Sequence, residues 1–181
     1  MDSFENVIGQ ILARDGFWVR QSYKVRLTPA DKRAIGRITS PRWEIDLVAY
    51  RPGDNLLRIV ECKSYLDSRG VRFKAFDGEG RGGKRFKLFN EPETFSVVST
   101  RLVEQLYAEK AVLAAPNIQL CLAAGKIAPR ESERLRMLFE ERHWTLFEPA
   151  WIHDQLVAMS RDGYDNSVCS ITAKLLCRDL C

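Results

Sequence analysis

The apolar positions of the chain follow two periodicities that alternate along its length. Phe4, Val7, Ile8, Ile11 and Leu12 recur at helical spacing, Asp2 followed three residues later by Glu5 has the form of a capping box, and Gly16 ends the run. Phe17 to Val25 alternates loosely between apolar and polar residues, which predicts a first strand, and a basic, proline-containing connection follows from Arg26 to Pro41. "WEIDLVAY" predicts a second strand, with Trp43, Ile45, Leu47 and Ala49 on one face and Glu44, Asp46, Val48 and Tyr50 on the other. "RPGDN" reads as a turn, and Leu56 to Lys63 as the partner strand of a hairpin. Residues 66–95 hold Gly70, Gly78, Gly80, Gly82, Gly83 and Pro92 without a long periodic run, which predicts a long loop or insertion. Helical spacing returns at about Ser99 to Ala114. A strand at Ile118 to Ala124, a helix at Pro129 to Arg142 and a short strand at Thr145 to Phe147 follow, then helices at Pro149 to Ser160 and Ser167 to Leu180. The predicted order is α, β, β, β, α, β, α, β, α, α, with no internal repeat.

Composition narrows the class. A chain of 181 residues suits one well-buried domain, and 45% hydrophobic residues with four Trp and nine Phe can fill its core. Acids at Asp2 and Glu5 argue against a secretory signal, and no segment approaches the roughly 18 apolar residues of a membrane span, so the expectation is a cytoplasmic protein without a membrane partner. Five Cys (Cys62, Cys121, Cys169, Cys177, Cys181) contain no C-x-x-C pair and read as reduced, mostly buried thiols. Cys177 and Cys181 could share a helix face, but two His and no second thiol pair make a poor zinc site. A net charge of +4 permits nucleic-acid binding without demanding it.

The chemistry concentrates in "IVECKSY". Glu61 and Lys63 lie two apart on one strand face with Leu57 and Ile59, while Val60 and Cys62 point the other way. An isolated Glu-x-Lys is most often a salt bridge. Here the hairpin can bring Glu44 and Asp46 beside it, and Asp is disfavoured inside strands. Packed carboxylates repel unless a cation neutralises them, and hard oxygen ligands suit Mg2+ or Mn2+. A lysine at such a site can orient an attacking water and stabilise phosphoryl charge, which together describe metal-assisted phosphodiester hydrolysis. Glu5 lies about 20° around the helix from Leu12. It could face the sheet and add a ligand through water, or simply close the capping box.

"EIDLVAY", a hairpin turn and "IVECKS", preceded by a helix bearing Glu5, resemble the PD-(D/E)xK nuclease superfamily over residues 1–65. The resemblance implies a single α/β domain over 1–181. It would have a restriction-endonuclease-like core, a central mixed β-sheet flanked by helices, and a basic Gly-rich insertion at about 66–95. It also implies Asp46 and Glu61 as metal ligands, the Cys62 backbone carbonyl as a third, Lys63 as the catalytic lysine and Glu5 as the helix acid. Mg2+ or Mn2+ would be the cofactor. Ile45 stands where the family's name has proline, a frequent departure, and Glu44 has counterparts in resolvase-like branches. No residue of the implied site is missing. The implied activity is cleavage of DNA, and cuts on both strands would favour a homodimer.

From Arg69 to Lys87 seven bases (Arg69, Arg72, Lys74, Arg81, Lys84, Arg85, Lys87) face two acids (Asp77, Glu79), a net +5. Phe73, Phe76, Phe86 and Phe89 interleave with them, so a flexible loop could grip phosphates while its rings stack or wedge. The plainer reading is a solvated loop anchored by its Phe residues. "GEGRGGKR" satisfies G-x-x-x-x-G-K but has Arg85 where a P-loop needs Ser or Thr, which excludes nucleotide binding. "QLYAEKA" from Gln105 lacks the Gln-x-x-x-Tyr spacing of some exonuclease branches. His143 and His153 read as packing or surface residues, and Trp18 and Trp43 could flank the site. The sequence thus favours a metal-dependent nuclease. A catalytically silent nucleic-acid-binding or interaction module in a larger defence or repair assembly stands second, and a structural salt-bridge network in an unrelated α/β protein third.

Overall fold

A computed structural model of the protein describes residues 2–39, 42–76 and 83–178. Helix α1 (Ser3–Arg14) leads into the antiparallel strands β1 (Trp18–Arg26), β2 (Arg42–Arg51) and β3 (Leu56–Lys63), with α2 (Pro29–Ala34) between the first two. Short α3 (Lys87–Asn90) and long α4 (Pro92–Ala108) cross over to β4 (Asn117–Ala124), which lies parallel to β3. The chain closes with α5 (Ser132–Glu141), β5 (Thr145–Phe147), α6 (Pro149–Ser160) and α7 (Val168–Leu176). The strands form one open mixed sheet in the order β1-β2-β3-β4-β5. One face packs Leu57 and Ile59 against Val98 and Leu102 of α4 and Phe139 of α5. The other packs Leu47 and Val60 against Ile8, Ile11 and Leu12 of α1 and Ile152 of α6. This is the α/β class, with helices on both faces of a mixed sheet. No described helix is long and apolar enough to cross a membrane.

Strand β3, at the sheet's centre, has the alternation its sequence predicts. Leu57 and Ile59 face α4 and α5, while Val60 and Cys62 face α1. Strand β2 does not. Trp43 and Ile45 share a core with Val48 and Tyr50, and Leu47 and Ala49 go to the opposite one, so the side-chain period slips by one at Asp46. The register shows the cause. Pairing with β1 runs from Trp18↔Tyr50 to Gln21↔Leu47 and resumes at Tyr23↔Ile45, passing over Ser22, whose φ of 48° is left-handed. Pairing with β3 stops at Leu47↔Val60. Beyond that point the Asp46 side chain takes over the ladder, Oδ2 accepting the Cys62 amide at 2.7 Å. Strand alternation presumes an unbroken pleat, and the pleat breaks at the residue singled out for chemistry.

Two expected loops contain structure. The connection after β1 holds α2, where Thr28 and Asp31 form a reciprocal capping box and Pro29 opens the first turn. Residues 66–95 are not one long loop. Turns of 3-10 helix occupy Phe73–Ala75 and Gly83–Arg85, α3 follows, and α4 begins at Pro92 rather than Ser99 and ends at Ala108 rather than Ala114. Thr94 and Ser99 are buried on α4, and these polar residues on its inner face mask the period. Phe76, Phe86 and Phe89 are buried in an aromatic cluster with Phe139 and Trp144, so they anchor the segment and have no surface for stacking. Phe73 is half-buried beneath the Arg134 guanidinium, 4.1 Å from its ring centroid.

Candidate functional site

The break in β2 leaves the end of β3 uncovered, and Asp46, Glu61 and Lys63 meet there. The Lys63 ammonium donates to the Glu61 carboxylate and to the Cys62 carbonyl at 3.0 Å, and stands 3.6 Å from Asp46 Oδ2. These three side chains are only 18–23% exposed. Burial pulls the Lys63 pKa down, but Glu61 and Asp46 outweigh it and raise it, so the amine stays charged at neutral pH. Burial raises the Glu61 pKa, Asp46 adds to the rise, and Lys63 only partly offsets it. The cluster therefore has more negative charge than one ammonium neutralises.

Glu5 approaches from the α1 side. Asp2 caps the helix, its side chain accepting the Phe4 and Glu5 amides. Glu5 has its Oε2 atom buried without a partner. Its pKa is raised by burial first and by Asp46 next, with a smaller contribution from Glu44. The Cys62 thiol lies in the core beneath α1, where burial drives its pKa far above the thiol range.

Above Glu61 opens a cleft of about 300 Å³, bordered by Trp43, Glu44 and Asp46 on one side and by Lys84, Arg85 and Lys87 on the other. Glu44 and Asp46 thus line the same cleft as Glu61, brought there where the β2 pleat breaks, with Glu44 exposed at the rim. Of the expected phosphate-gripping bases, Lys84, Arg85 and Lys87 reach this cleft, although Lys87 also pairs with Glu91 at 3.4 Å. Arg72 lies with Arg85 at a neighbouring cleft. Arg69 and Lys74 are exposed and line neither, and Arg81 is outside the described residues, as are the acids Asp77 and Glu79.

Two basic residues of the cleft escaped sequence reasoning. Arg37 lines it from the β1–β2 connection and Arg42 from the first position of β2, the Arg37 guanidinium 4.3 Å from the Trp43 ring centroid. The only signal for Arg37 was the basic character of that connection, which ends before Arg42. Trp18 packs instead against Tyr50, away from the cleft. Cys62, Cys121, Cys169 and Cys177 are free and buried, and Cys181 lies outside the described residues.

Among the described residues no three His, Cys, Asp or Glu side chains are gathered to hold a metal. The donors present still fit a hard divalent cation in kind. Asp46 and Glu61 share one cation, and a buried Glu5 oxygen beside Asp46 has no partner. Compared with protein-family models, curated proteins and solved structures, the chain matches none.

Proposed function

We propose that the protein is a metal-dependent nuclease of PD-(D/E)xK type that hydrolyses DNA phosphodiester bonds on a restriction-endonuclease-like core. The observation that carries this reading is the Lys63 ammonium bridging Asp46 and Glu61 where β2 parts from β3. The order α1-β1-β2-β3-α4-β4, with its meander followed by a crossover to a parallel strand, supports the core assignment. Mg2+ or Mn2+, held by Asp46, Glu61 and the Cys62 carbonyl, would supply Lewis-acid stabilisation of the phosphoryl charge.

The remaining work belongs to the chain's own groups. Lys63, kept protonated by its carboxylate neighbours, donates to the attacking water or to a non-bridging oxygen as charge accumulates there. Glu5 and Glu44 hold negative charge behind and beside the ligands. Arg37, Arg42, Lys84 and Arg85 draw the phosphate backbone into the cleft.

One observation favours the silent module instead. Lys63 is fully engaged with Glu61 and the Cys62 carbonyl, an arrangement that also suffices as a structural ion pair. Incubation of plasmid, linear, single-stranded and branched DNA with Mg2+ or Mn2+ decides between them. The nuclease reading requires metal-dependent cutting that both Lys63→Ala and Asp46→Ala abolish. DNA binding without cutting on any substrate establishes the silent module.

A further inference from the structure

A second cleft, of about 290 Å³, lies beyond Arg85, which lines both it and the cleft over Glu61. Its floor is apolar, made by the buried Val71, Ala75 and Phe86. Tyr65 forms an aromatic wall, and Arg72 and Arg85 bring charge to the rim. The Arg85 guanidinium donates to the Tyr65 hydroxyl at 3.4 Å.

The walls are fixed in place. Tyr65 follows Lys63 by two residues in a left-handed conformation, φ 47°, and its carbonyl accepts both the Ser68 amide and the Ser68 hydroxyl at 3.0 Å. Val71 bridges to Ile127, its amide on the Lys126 carbonyl at 2.9 Å. The backbones on either side of Tyr65 approach so closely that only glycine fits. A Cβ on Gly70 would stand 2.8 Å from the Ile127 carbonyl carbon, and one on Gly125 would stand 2.5 Å from the Ser64 oxygen.

An apolar floor, a ring at the wall and guanidinium groups at the mouth are the chemistry that recognises an unstacked base together with its phosphate. Bases in a duplex are stacked and paired, so lowering one into a walled cleft carries an unstacking penalty that a single strand largely escapes. We propose that the Tyr65 cleft takes the base of the nucleotide next to the scissile phosphate, with Arg85 on the phosphate between them, so that the substrate is single-stranded DNA. The word scissile rests on the nuclease reading; the binding site itself does not.

The test is fluorescence anisotropy with the full chain in the absence of divalent ions. The probes are labelled oligothymidine, a duplex of equal length and an abasic sugar-phosphate strand. Wild type binds oligothymidine at least tenfold more tightly than duplex at one salt concentration. Tyr65→Ala loses about tenfold on oligothymidine and nothing on the abasic strand, and Tyr65→Phe retains binding. Arg72→Ala weakens both single strands alike. Equal affinity for duplex and single strand, or a Tyr65→Ala loss equal on both single strands, overturns the proposal. Absence of cleavage with these preferences intact removes only the nuclease reading. Cleavage without them removes only this one.

Discussion

Arg101 and Lys63 each join two carboxylates, and the two clusters differ in what surrounds them. At the surface, Arg101 of α4 holds Asp31 with two bonds of 2.8 and 3.2 Å and Glu104 with a third at 2.7 Å. Asp31 also accepts the Thr28 amide and hydroxyl at 2.7 Å, and its pKa is lowered to about 2, chiefly by the Arg101 bond. Every oxygen of Asp31 is satisfied, and the result is a tie between α2 and α4. At the end of β3, Lys63 serves Glu61 and Asp46 while a third carboxylate, Glu5, sits nearby with a buried, unpartnered oxygen. The pKa values of Glu61 and Glu5 move up, the opposite direction from Asp31. One cation shared by two carboxylates thus gives a finished tie in one place, one cation among three leaves an unneutralised pocket in the other, and only the second has a use for a further cation.

The largest effect that can break this comparison is on cleavage. Lys63→Ala is expected to lower the metal-dependent rate by about 10²- to 10³-fold, while Arg101→Ala leaves it unchanged. Initial rates under one set of metal and salt conditions check both, and equal losses would dissolve the distinction. Gly125→Ala should act on both stability and rate. Its Cβ meets the Ser64 oxygen at 2.5 Å and the Phe4 ring at 3.2 Å, so the strand end carrying Lys63 must shift. A stability loss of about 1–3 kcal/mol is expected from such overpacking. Gly53→Ala, with nothing within 4 Å, is the control.

Why the cluster was legible in the sequence and its surroundings were not follows from range. Glu61 and Lys63 sit on a strand whose pairing with β4 runs through Lys63 and keeps the period-two alternation, although its pairing with β2 ends at Val60. The slip at Asp46 depends on a side chain reaching the Cys62 amide of the neighbouring strand, a tertiary event with no local pattern. In the segment from 66 to 95 the Phe residues interleave with bases, a pattern that fits a binding loop and a Phe-anchored one alike. Three of them fill the core above β3 and bring Lys84, Arg85 and Lys87 to the cleft as a consequence. Arg37 arrives from the connection that follows α2, whose capping box introduces no apolar run to signal a helix, and Arg42 from the first position of β2.

Smaller effects on stability sharpen the comparison by sign. Glu5→Gln removes a carboxylate whose burial and nearness to Asp46 disfavour its charge, so it should stabilise the fold at neutral pH. Asp31→Asn loses the charge that Arg101 and the cap of α2 both use, so it should destabilise by about 1 kcal/mol. Urea unfolding of both variants against wild type reads the two signs, and a shared sign would mean that the two clusters do not differ in kind.

Acid titration reads the smallest difference. Asp31 titrates at about 2 in the folded chain, below its unfolded value. The folded state therefore binds this proton less readily. Its contribution is fully present above about pH 4 and is lost as pH falls from there through about 2. Glu5 and Glu61 run the other way. Their folded values are raised, so protonation begins first in the folded state and stability from these groups grows as pH drops towards their unfolded range. Wild type should hold or gain stability on going from neutral pH to about pH 5 and lose it steeply below about pH 4. Asp31→Asn should make the lower limb shallower and leave the upper one alone, and Glu5→Gln should flatten only the upper limb. Denaturant midpoints measured across that range separate the limbs. A change of the wrong limb in either variant would place the uncompensated charge somewhere other than the end of β3.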